Sequence, residues 1–590
     1  MKRFALILVA AVLVLSLGLQ GCLPILEFYE DFLPEFSTYP TEHSRPNYSE
    51  EGIHHSEYQR LYEPRLEYTV FDQMPYSRPD IDAVCADFDV VTELGKEEAD
   101  FDSIIAAYEK AYDGYVNFST MSSLAYIRYT LNLNDSYYEE EQLWCEENSP
   151  VLEKVYEEAM MSLADCSLRE TLEAEYFGED FFDDYDDEGM FTKDIVVELF
   201  QKESDLQAQY MALTSDMTIE LDGEEVLLDE ALSSATDYYT YSKVLRLYCE
   251  KYNPLMGEIF IELVRTRHAL ARELEYDSYA DFAYDYYFYR DYTPQQADQY
   301  AEDIRNYLVP LMDLQSGGYY PSMSGDEVMD LLKDTTDVLG GEFQTAYGFM
   351  KDYELYDISY STSKMPGSYQ TYLSAYEMPF LYVSPEGDMG DFLTAAHEFG
   401  HFVDGYVNCD TNYSTDCAEI FSQGLEFLAL EAAPISESDR RTLRENKLSD
   451  SLMTFISQAC YHSFESAVYA LPEEELTLEN INNLFYESNL AYGLATEGYE
   501  FYDSMAWFDI QHFIIAPCYV ISYCVSNDMA LQIYQLEAAE GGKGLEKYFE
   551  LLYLAADNTI LSLASEGEMT SPFALGRMDE LAKFFEERMG

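Results

Sequence analysis

The stretch His397-Glu398-Phe399-Gly400-His401 determines how the rest of this 590-residue chain is interpreted. On an α-helix a step of four residues is about 400°, so both imidazoles leave one face within about 40° of each other. Two histidines at this spacing, with a glutamate beside the first, are typical of a zinc-binding helix. The chain holds only eight histidines, and chance would give such a pattern about 0.01 times. We therefore predict that His397 and His401 bind zinc.

The surrounding residues predict a half-buried helix that presents this motif. Gly390 and Asp391 offer an N-cap, and apolar residues then recur at helical spacing up to a predicted end near Gly405. The apolar positions are Phe392, Ala395, Ala396, Phe399, Phe402 and Val403. Residues 376–383, just before the helix, are β-prone, and we predict a strand edge there to which a peptide substrate adds as another strand.

A catalytic zinc takes three protein ligands plus water, so a third ligand must come from elsewhere in the chain. Residues 414–428 predict the next helix, because three capping residues precede apolar positions at helical spacing. We predict Glu419 on this helix as the third ligand. Glu426 lies seven residues further on the same face and is a candidate for orienting a ligand imidazole. For both, a solvated carboxylate on a very acidic protein is the alternative. Cys417 is two steps of about 100° from Glu419, on another face, and is excluded as a ligand.

Glu398 has a different predicted role from the two histidines beside it. It points about 100° away from His397, so it reaches a water on the metal without being aimed as a ligand. Zinc lowers the pKa of such a water toward ~7. We predict Glu398 as the general base, which later passes the proton to the leaving amine.

Other stretches agree with a zinc peptidase. These are Pro-Gly-Ser-Tyr at 366–369, Pro-Phe-Leu-Tyr at 379–382, and Glu-x-x-Ser-Gln-x-x-Glu at 419–426. Together with the zinc motif they resemble the thimet oligopeptidase and oligoendopeptidase F family. Residues 272–283 resemble the family's helix-turn upstream of the active site, and residues 512–523 resemble its C-terminal segment. The resemblance covers residues 205–590 and weakens toward the N terminus.

The resemblance implies a predominantly all-α, two-lobed, neurolysin-like zincin fold with a deep substrate channel, a small β-sheet near the zinc helix, and one Zn²⁺ per chain. It implies that Tyr523 and Tyr519 donate to the oxyanion and that His512 binds the substrate backbone. Pro517 stands where the mammalian-type members have a Gly-rich loop, which indicates the oligoendopeptidase F branch. The chain has 55 tyrosines, so ordinary packing is the alternative for each of the two.

Composition excludes several other classes of function. Hydrophobic residues make up 48% and aromatic residues 15% of the chain, which is typical of a folded globular protein. The formal net charge of −80 repels nucleic-acid phosphates and anionic lipid headgroups. We expect no nucleic-acid partner, a monomer, and short peptides as substrates.

The N-terminal residues predict a targeting segment. Lys2 and Arg3 precede an apolar run at residues 4–17, and Gly21 lies immediately before Cys22. This pattern resembles a bacterial lipoprotein signal, with cleavage before Cys22 and lipid on its sulfur. A plain cleaved signal and an uncleaved anchor are the alternatives. Nine scattered cysteines remain after Cys22, which argues against a disulfide framework.

These patterns predict four parts of the chain. They are a signal peptide at 1–21, a Pro-containing acidic tether at 22–79, an N-terminal helical lobe at 80–204, and a catalytic domain at 205–590. The predicted function is zinc-dependent hydrolysis of internal bonds in short peptides outside the cytoplasmic membrane. One alternative is a related helical zinc carboxypeptidase or dipeptidyl carboxypeptidase. The other is a non-catalytic peptide-binding lipoprotein, which the intact Glu398 and the complete ligand set argue against.

Overall fold

The computed structural model describes residues 64–178, 180–185, 190–214, 217–314, 318–409, 414–496 and 498–590. Its helices are α1 Ile81–Lys96, α2 Phe101–Leu131, α3 Ser136–Ala164, α4 Arg169–Leu172, α5 Asp194–Thr214, α6 Leu228–Ser233, α7 Tyr238–Glu273, α8 Tyr279–Tyr286, α9 Pro294–Tyr307, α10 Gly325–Leu339, α11 Gly341–Asp352, α12 Gly390–Asn408, α13 Thr415–Ala432, α14 Glu437–Tyr469, α15 Leu478–Ala491, α16 Glu500–Met505, α17 His512–Ile515, α18 Ile521–Ala539, α19 Lys543–Ala555, α20 Ile560–Glu566 and α21 Arg577–Met589. Its strands are β1 Thr218–Leu221, β2 Glu224–Leu227, β3 Tyr356–Asp357, β4 Ser368–Leu373 and β5 Met378–Val383. The predicted all-α class is confirmed.

The first two strands form an isolated hairpin, which the Asp222-Gly223 pair predicts. β1 and β2 pair antiparallel, with Leu221 opposite Glu224. Asp222 and Gly223 both have positive φ, at 55° and 90°. Two such residues in succession form the tight turn whose twist matches that of the flanking strands.

The second sheet lies beside the zinc-motif helix and has the strand order β3-β5-β4. β5, which forms in the β-prone segment, pairs antiparallel with β4 and parallel with β3. The prediction that this segment supplies an open edge was wrong, because partners lie on both of its sides. β4, at the edge of the sheet, was not predicted, since its residues include Ser368, Gln370 and Thr371 and show little apolar alternation. α12 packs against both β5 and β4.

Two hydrophobic cores agree with a two-lobed protein. The smaller core consists of buried residues between Val84 and Tyr185, and the larger one runs from Phe71 to the last helix. Helix α5 buries Val196 and Leu206 in the larger core. Met121 and Leu124 of α2 also belong to the larger core, so the two cores do not divide the chain at a single point. The predicted boundary at residue 204 lies inside α5.

The predicted tether falls mostly outside the described residues, as do the signal segment and Cys22. The described part of the predicted tether begins at residue 64, and it packs against the rest of the protein instead of forming a free linker. The backbone N–H of Leu66 donates to the carbonyl of Ala375, and Phe71 and Met74 are buried. The folded body thus begins before residue 79, where the predicted tether ends.

Two further predictions concern the chain as a whole. Among the described residues, none of the nine cysteines after Cys22 forms a disulfide. In the part of the chain that the structure describes, no helix combines the length and the apolar character needed to cross a bilayer.

Candidate active site

Helix α12 carries the zinc motif and extends beyond its predicted end at Gly405. Gly405 lies within the helix and close to β5, where a Cβ on this residue would lie 3.3 Å from Pro379. Asp391 was predicted as an N-cap but lies inside the first turn. Its carboxylate accepts the backbone N–H groups of Glu386 and Gly387 at 2.9 and 2.7 Å. Asp391 therefore fixes the loop that leads into α12 rather than capping the helix.

The glycine of the motif lets the next helix approach α12 at backbone distance. A Cβ on Gly400 would lie 2.5 Å from the carbonyl oxygen of Phe421 and 2.6 Å from the Cα of Ser422, both on α13. Real Cβ atoms do not come this close to backbone atoms, so only glycine allows this crossing. The close approach brings Glu419 of α13 beside the two motif histidines.

His397, His401 and Glu419 form one buried cluster. Their candidate ligand atoms all lie within 4.8 Å of one another. Glu419 Oε2 is 3.4 Å from His397 Nε2 and 3.6 Å from His401 Nε2. A tetrahedral zinc with bonds of about 2.0–2.1 Å needs ligand atoms about 3.3 Å apart. The donor set and its spacing therefore fit a zinc ion.

Behind His397, the charged side chains of Glu426 and Lys447 hold the imidazole. Glu426 Oε1 lies 3.0 Å from His397 Nδ1, and Lys447 Nζ of α14 donates to Glu426 Oε2 at 2.6 Å. The bond at Nδ1 leaves Nε2 directed at the cluster. The predicted orienting position of Glu426 is thus the one that it occupies. Sequence reasoning missed Lys447, because a lone lysine in a long helix carries no local signal.

The groups of the cluster shift one another's pKa values in opposite directions. Burial disfavours a charged His397, but Glu426, Glu419 and Glu398 together raise its pKa to about 9. Burial tends to raise the pKa of Glu419, yet His401 and His397 lower it to about 2. The surrounding carboxylates thus favour a positive charge at His397.

Glu398 lies beside the cluster without belonging to it. Its side chain is almost fully buried, and burial raises its pKa, although His397, His401 and the Ser368 hydroxyl of β4 act in the opposite direction. A carboxylate with a raised pKa is a better proton acceptor than an exposed one. Its position therefore suits the predicted base.

The C-terminal segment reaches the cluster from far along the chain. His512 begins the one-turn helix α17, and Tyr523 lies in the first turn of α18. The spacing of four residues predicts that Tyr519 and Tyr523 share a face of one helix after Pro517. This prediction was wrong, because α18 begins only at Ile521, and Cys518, with φ +67°, lies in the non-helical connection before Tyr519. The rings still meet, with centroids 5.1 Å apart for Tyr519 and Tyr523 and 5.3 Å apart for His512 and Tyr519.

The two tyrosines make different contacts. The Tyr519 hydroxyl donates to Glu419 Oε1 at 2.6 Å. The Tyr523 hydroxyl lies 3.4 Å from His512 Nε2, a long contact that a substrate oxygen can replace. Burial lowers the pKa of His512 to about 4, although Glu419 opposes this, so the ring is neutral near pH 7. Tyr519 thus holds a predicted ligand, while Tyr523 keeps a donor available.

Part of the chain matches a known protein domain, and its fold matches several solved structures. Residues 71–188 match the Peptidase M3 N-terminal domain. No curated protein sequence matches the chain. Among solved structures, that of Pz peptidase A with an inhibitor has a TM-score of 0.76 at 20% identity, over 88% of this chain and 99% of that one. The structure of a provisionally assigned oligoendopeptidase F has a TM-score of 0.74 at 22% identity, over 88% of this chain and 98% of that one. Another such structure, from Bacillus anthracis strain Ames, has a TM-score of 0.70 at 23% identity and also covers 88% of this chain and 98% of its own.

These structural likenesses establish the fold. The matched N-terminal domain lies in the region where the sequence resemblance is weakest, so it supports the family independently of the zinc motif. The matched Peptidase M3 N-terminal domain supports a metallopeptidase, and the chain shares the fold of the solved oligoendopeptidase F structures.

Proposed function

We propose that this protein is a zinc-dependent oligoendopeptidase that cleaves internal bonds of short peptides. The observation that carries the proposal is the buried cluster of His397, His401 and Glu419 with Glu398 beside it. When bound there, zinc would polarise the scissile carbonyl and make water a nucleophile near neutral pH. His397 and His401 on α12 and Glu419 on α13 would hold it, with Glu426 orienting His397.

The remaining steps fall to side chains of the protein. Glu398 takes the proton from the attacking water and later gives it to the leaving amine, for which its raised pKa is suited. Tyr523 donates its hydroxyl hydrogen to the oxyanion that forms on the scissile carbonyl. Tyr519 keeps Glu419 in place through the bond to Oε1. His512, neutral near pH 7 and 3.4 Å from the Tyr523 hydroxyl, binds the substrate backbone.

Burial of the site supports a limit on substrate size. His397, Glu398, His401 and Glu419 are between 2% and 7% exposed, so a folded protein surface does not reach them. We expect an extended peptide, which is narrower than a folded protein, to reach them. Since β4 is the edge strand and carries Ser368 beside Glu398, we propose β4 as the strand to which the peptide adds.

Two buried cations near the site, among the residues that the structure describes, are already paired with protein groups, which favours cleavage of internal bonds. A carboxypeptidase needs a positive side chain to bind the terminal carboxylate of its substrate. Lys447 donates to Glu426, and Arg290, which lies between α8 and α9, donates to the backbone carbonyl of Cys518 and lies beside Asp416. Both are occupied by protein acceptors. Cleavage of peptides blocked at both ends separates the endopeptidase from the carboxypeptidase and dipeptidyl carboxypeptidase alternatives.

We further propose that the protein is a monomer, anchored outside the cytoplasmic membrane by lipid on Cys22. The motif of Lys2, Arg3, the apolar run and Gly21-Cys22 supports this location. One acyl chain is a weak anchor, so more than one is expected. Mass spectrometry of the native N-terminal peptide tests the anchor, and an unmodified Cys22 or an intact Met1 would refute it.

The central experiment is cleavage of an internally quenched peptide before and after chelation. The purified protein is expected to contain about one zinc per chain, to lose cleavage with the chelator, and to regain it with added zinc. Glu398→Gln is the matched control, since it keeps the ligands and loses the base. A zinc-loaded protein that binds peptides without cleaving them would favour the non-catalytic alternative. Rapid degradation of native albumin would contradict the size limit.

A further inference from the structure

The connection between α17 and α18 contains a strained residue that determines where both tyrosines point. Cys518 has φ +67°, a left-handed conformation that residues with a side chain rarely adopt. It directly precedes Tyr519, and Tyr523 follows about one turn later. The positions of both phenols therefore depend on this bend, and such a bend persists only where its surroundings hold it.

Arg290 holds the bend from inside the protein. Its side chain is fully buried. Nη1 donates to the carbonyl of Cys518 at 2.9 Å, and Nη2 donates to Ser522 Oγ at 2.7 Å. The N–H of Cys518 donates to Glu465 of α14 at 3.0 Å. Both the N–H and the carbonyl of the strained residue thus have fixed partners outside the segment, Glu465 on α14 and Arg290 in the connection between α8 and α9.

The same guanidinium also reaches the helix that carries Glu419. Arg290 Nε lies 3.4 Å from Asp416 Oδ1 in the first turn of α13, three residues before Glu419. Tyr519, whose carbonyl is 3.4 Å from Arg290 Nη2, donates its hydroxyl to Glu419. The guanidinium offers donors in several fixed directions, and lysine cannot reproduce this geometry.

We propose that Arg290 is a positioning residue for peptide cleavage. It ties the helix of the proposed ligand Glu419 to the segment of the tyrosines and so sets where the Tyr523 hydroxyl lies. Arg290 itself touches no substrate. This inference rests on the proposed function and adds a residue that neither the zinc motif nor the family resemblance assigns.

A double-mutant comparison tests the proposal. Arg290→Lys keeps the positive charge and loses the fork of donors, and Ser522→Ala is a milder change that removes one acceptor. Each is made with and without Tyr523→Phe. A misplaced donor should lower kcat for Arg290→Lys about 100-fold with little change in KM. With Tyr523→Phe already present, the further loss should be only about 2-fold, because the phenol that Arg290 positions is gone. Ser522→Ala should show the same pattern with a smaller loss.

Hydrogen exchange supplies a readout that needs no activity. Arg290→Lys and Ser522→Ala should raise amide exchange in residues 512–523 while the rest of the protein keeps its protection. Arg440→Lys is the matched control. Arg440 is also buried and donates to backbone carbonyls, but at the far end of α13, at Leu430 and Ala433. Its substitution should leave kcat and the exchange of residues 512–523 unchanged.

The outcomes separate this inference from the function on which it rests. Equal kcat losses with and without Tyr523→Phe, or unchanged exchange at residues 512–523 in Arg290→Lys, would overturn the positioning role. A wild-type protein that binds zinc and cleaves no peptide would refute the proposed function. In that case the exchange measurement still decides whether Arg290 holds the segment.

Discussion

Replacing Gly400 by alanine tests whether the close helix crossing builds the metal site. The new Cβ would lie 2.5 Å from the Phe421 carbonyl oxygen and 2.6 Å from the Ser422 Cα, whereas relaxed contacts are 3.4 Å or more. α12 and α13 must therefore separate by about 1 Å, and overpacking of this kind costs about 1–3 kcal/mol. The same movement takes Glu419 away from His397, whose facing atoms are now 3.4 Å apart. Zinc affinity should fall at least about 10- to 100-fold, the cost of losing one orienting partner.

Two measurements follow this change, and a second glycine provides the control. Chelator competition gives the zinc affinity, and thermal unfolding of the metal-free protein gives the cost of the crossing. Gly348 of α11 has nothing within 4 Å of its added Cβ, so Gly348→Ala should keep the affinity and stabilise the fold by about 0.4–1 kcal/mol. Wild-type affinity and an unchanged unfolding midpoint in Gly400→Ala would refute the reasoning, because both rest on the same steric conflict.

The other predictions test single contacts. Glu398→Gln should retain zinc and lose about 10²- to 10⁴-fold in kcat, and loss of metal from this variant would make Glu398 a ligand instead. Tyr523→Phe should lower kcat about 10- to 1000-fold with zinc retained. Tyr519→Phe should weaken zinc binding, because its hydroxyl holds Glu419. Unaltered kinetics in the first variant and unaltered metal affinity in the second would mean that both tyrosines serve only packing. Lys447→Met should lower the zinc affinity, measured by chelator competition, about 10- to 100-fold. An unchanged affinity would show that Glu426 holds His397 without Lys447. Burial raises the pKa of Glu465 to about 8, so its protonated form stabilises the wild type below its unfolded pKa of about 4.3, and this stability is lost as pH rises toward 8. The stability of Glu465→Gln relative to wild type should therefore rise between these pH values, by at most about 1.4 kcal/mol per pH unit, and a constant difference would contradict the shift.

The zinc-motif helix and its neighbour could be predicted because their information is local. Helical spacing places His397 and His401 on one face, and capping residues predict where α13 begins. Glu419 and Glu426, seven apart, then follow from the periodicity of one helix. The structure brings these four side chains together as that reasoning expects.

The errors arose where the outcome depends on distant parts of the chain. Residues 376–383 form a strand as predicted, but which strand lies at the edge depends on how β4 and β3 pair with it. Tyr519 and Tyr523 are four apart in sequence, yet only Tyr523 lies in α18, because the non-helical connection that contains Cys518 extends as far as Val520. The bend is held by Arg290 and Glu465, which lie 228 and 53 residues away along the chain. No pattern within residues 512–523 could reveal those partners.

The charged groups that sequence reasoning missed have one property in common. Lys447 and Arg290 are both buried, and each pairs with a carboxylate next to a site residue. The free energy needed to remove such an ion pair from water is about as large as the attraction between its charges, so well-packed apolar residues often stabilise the fold equally well or better. Stability alone therefore does not account for their presence. Each pair fixes a direction instead: Lys447 through Glu426 aims His397, and Arg290 through Asp416 aligns the ligand helix with the tyrosine segment. Because a metal site and an oxyanion donor lose function with displacements of about 1 Å, directional bonds from buried charges provide what apolar packing does not.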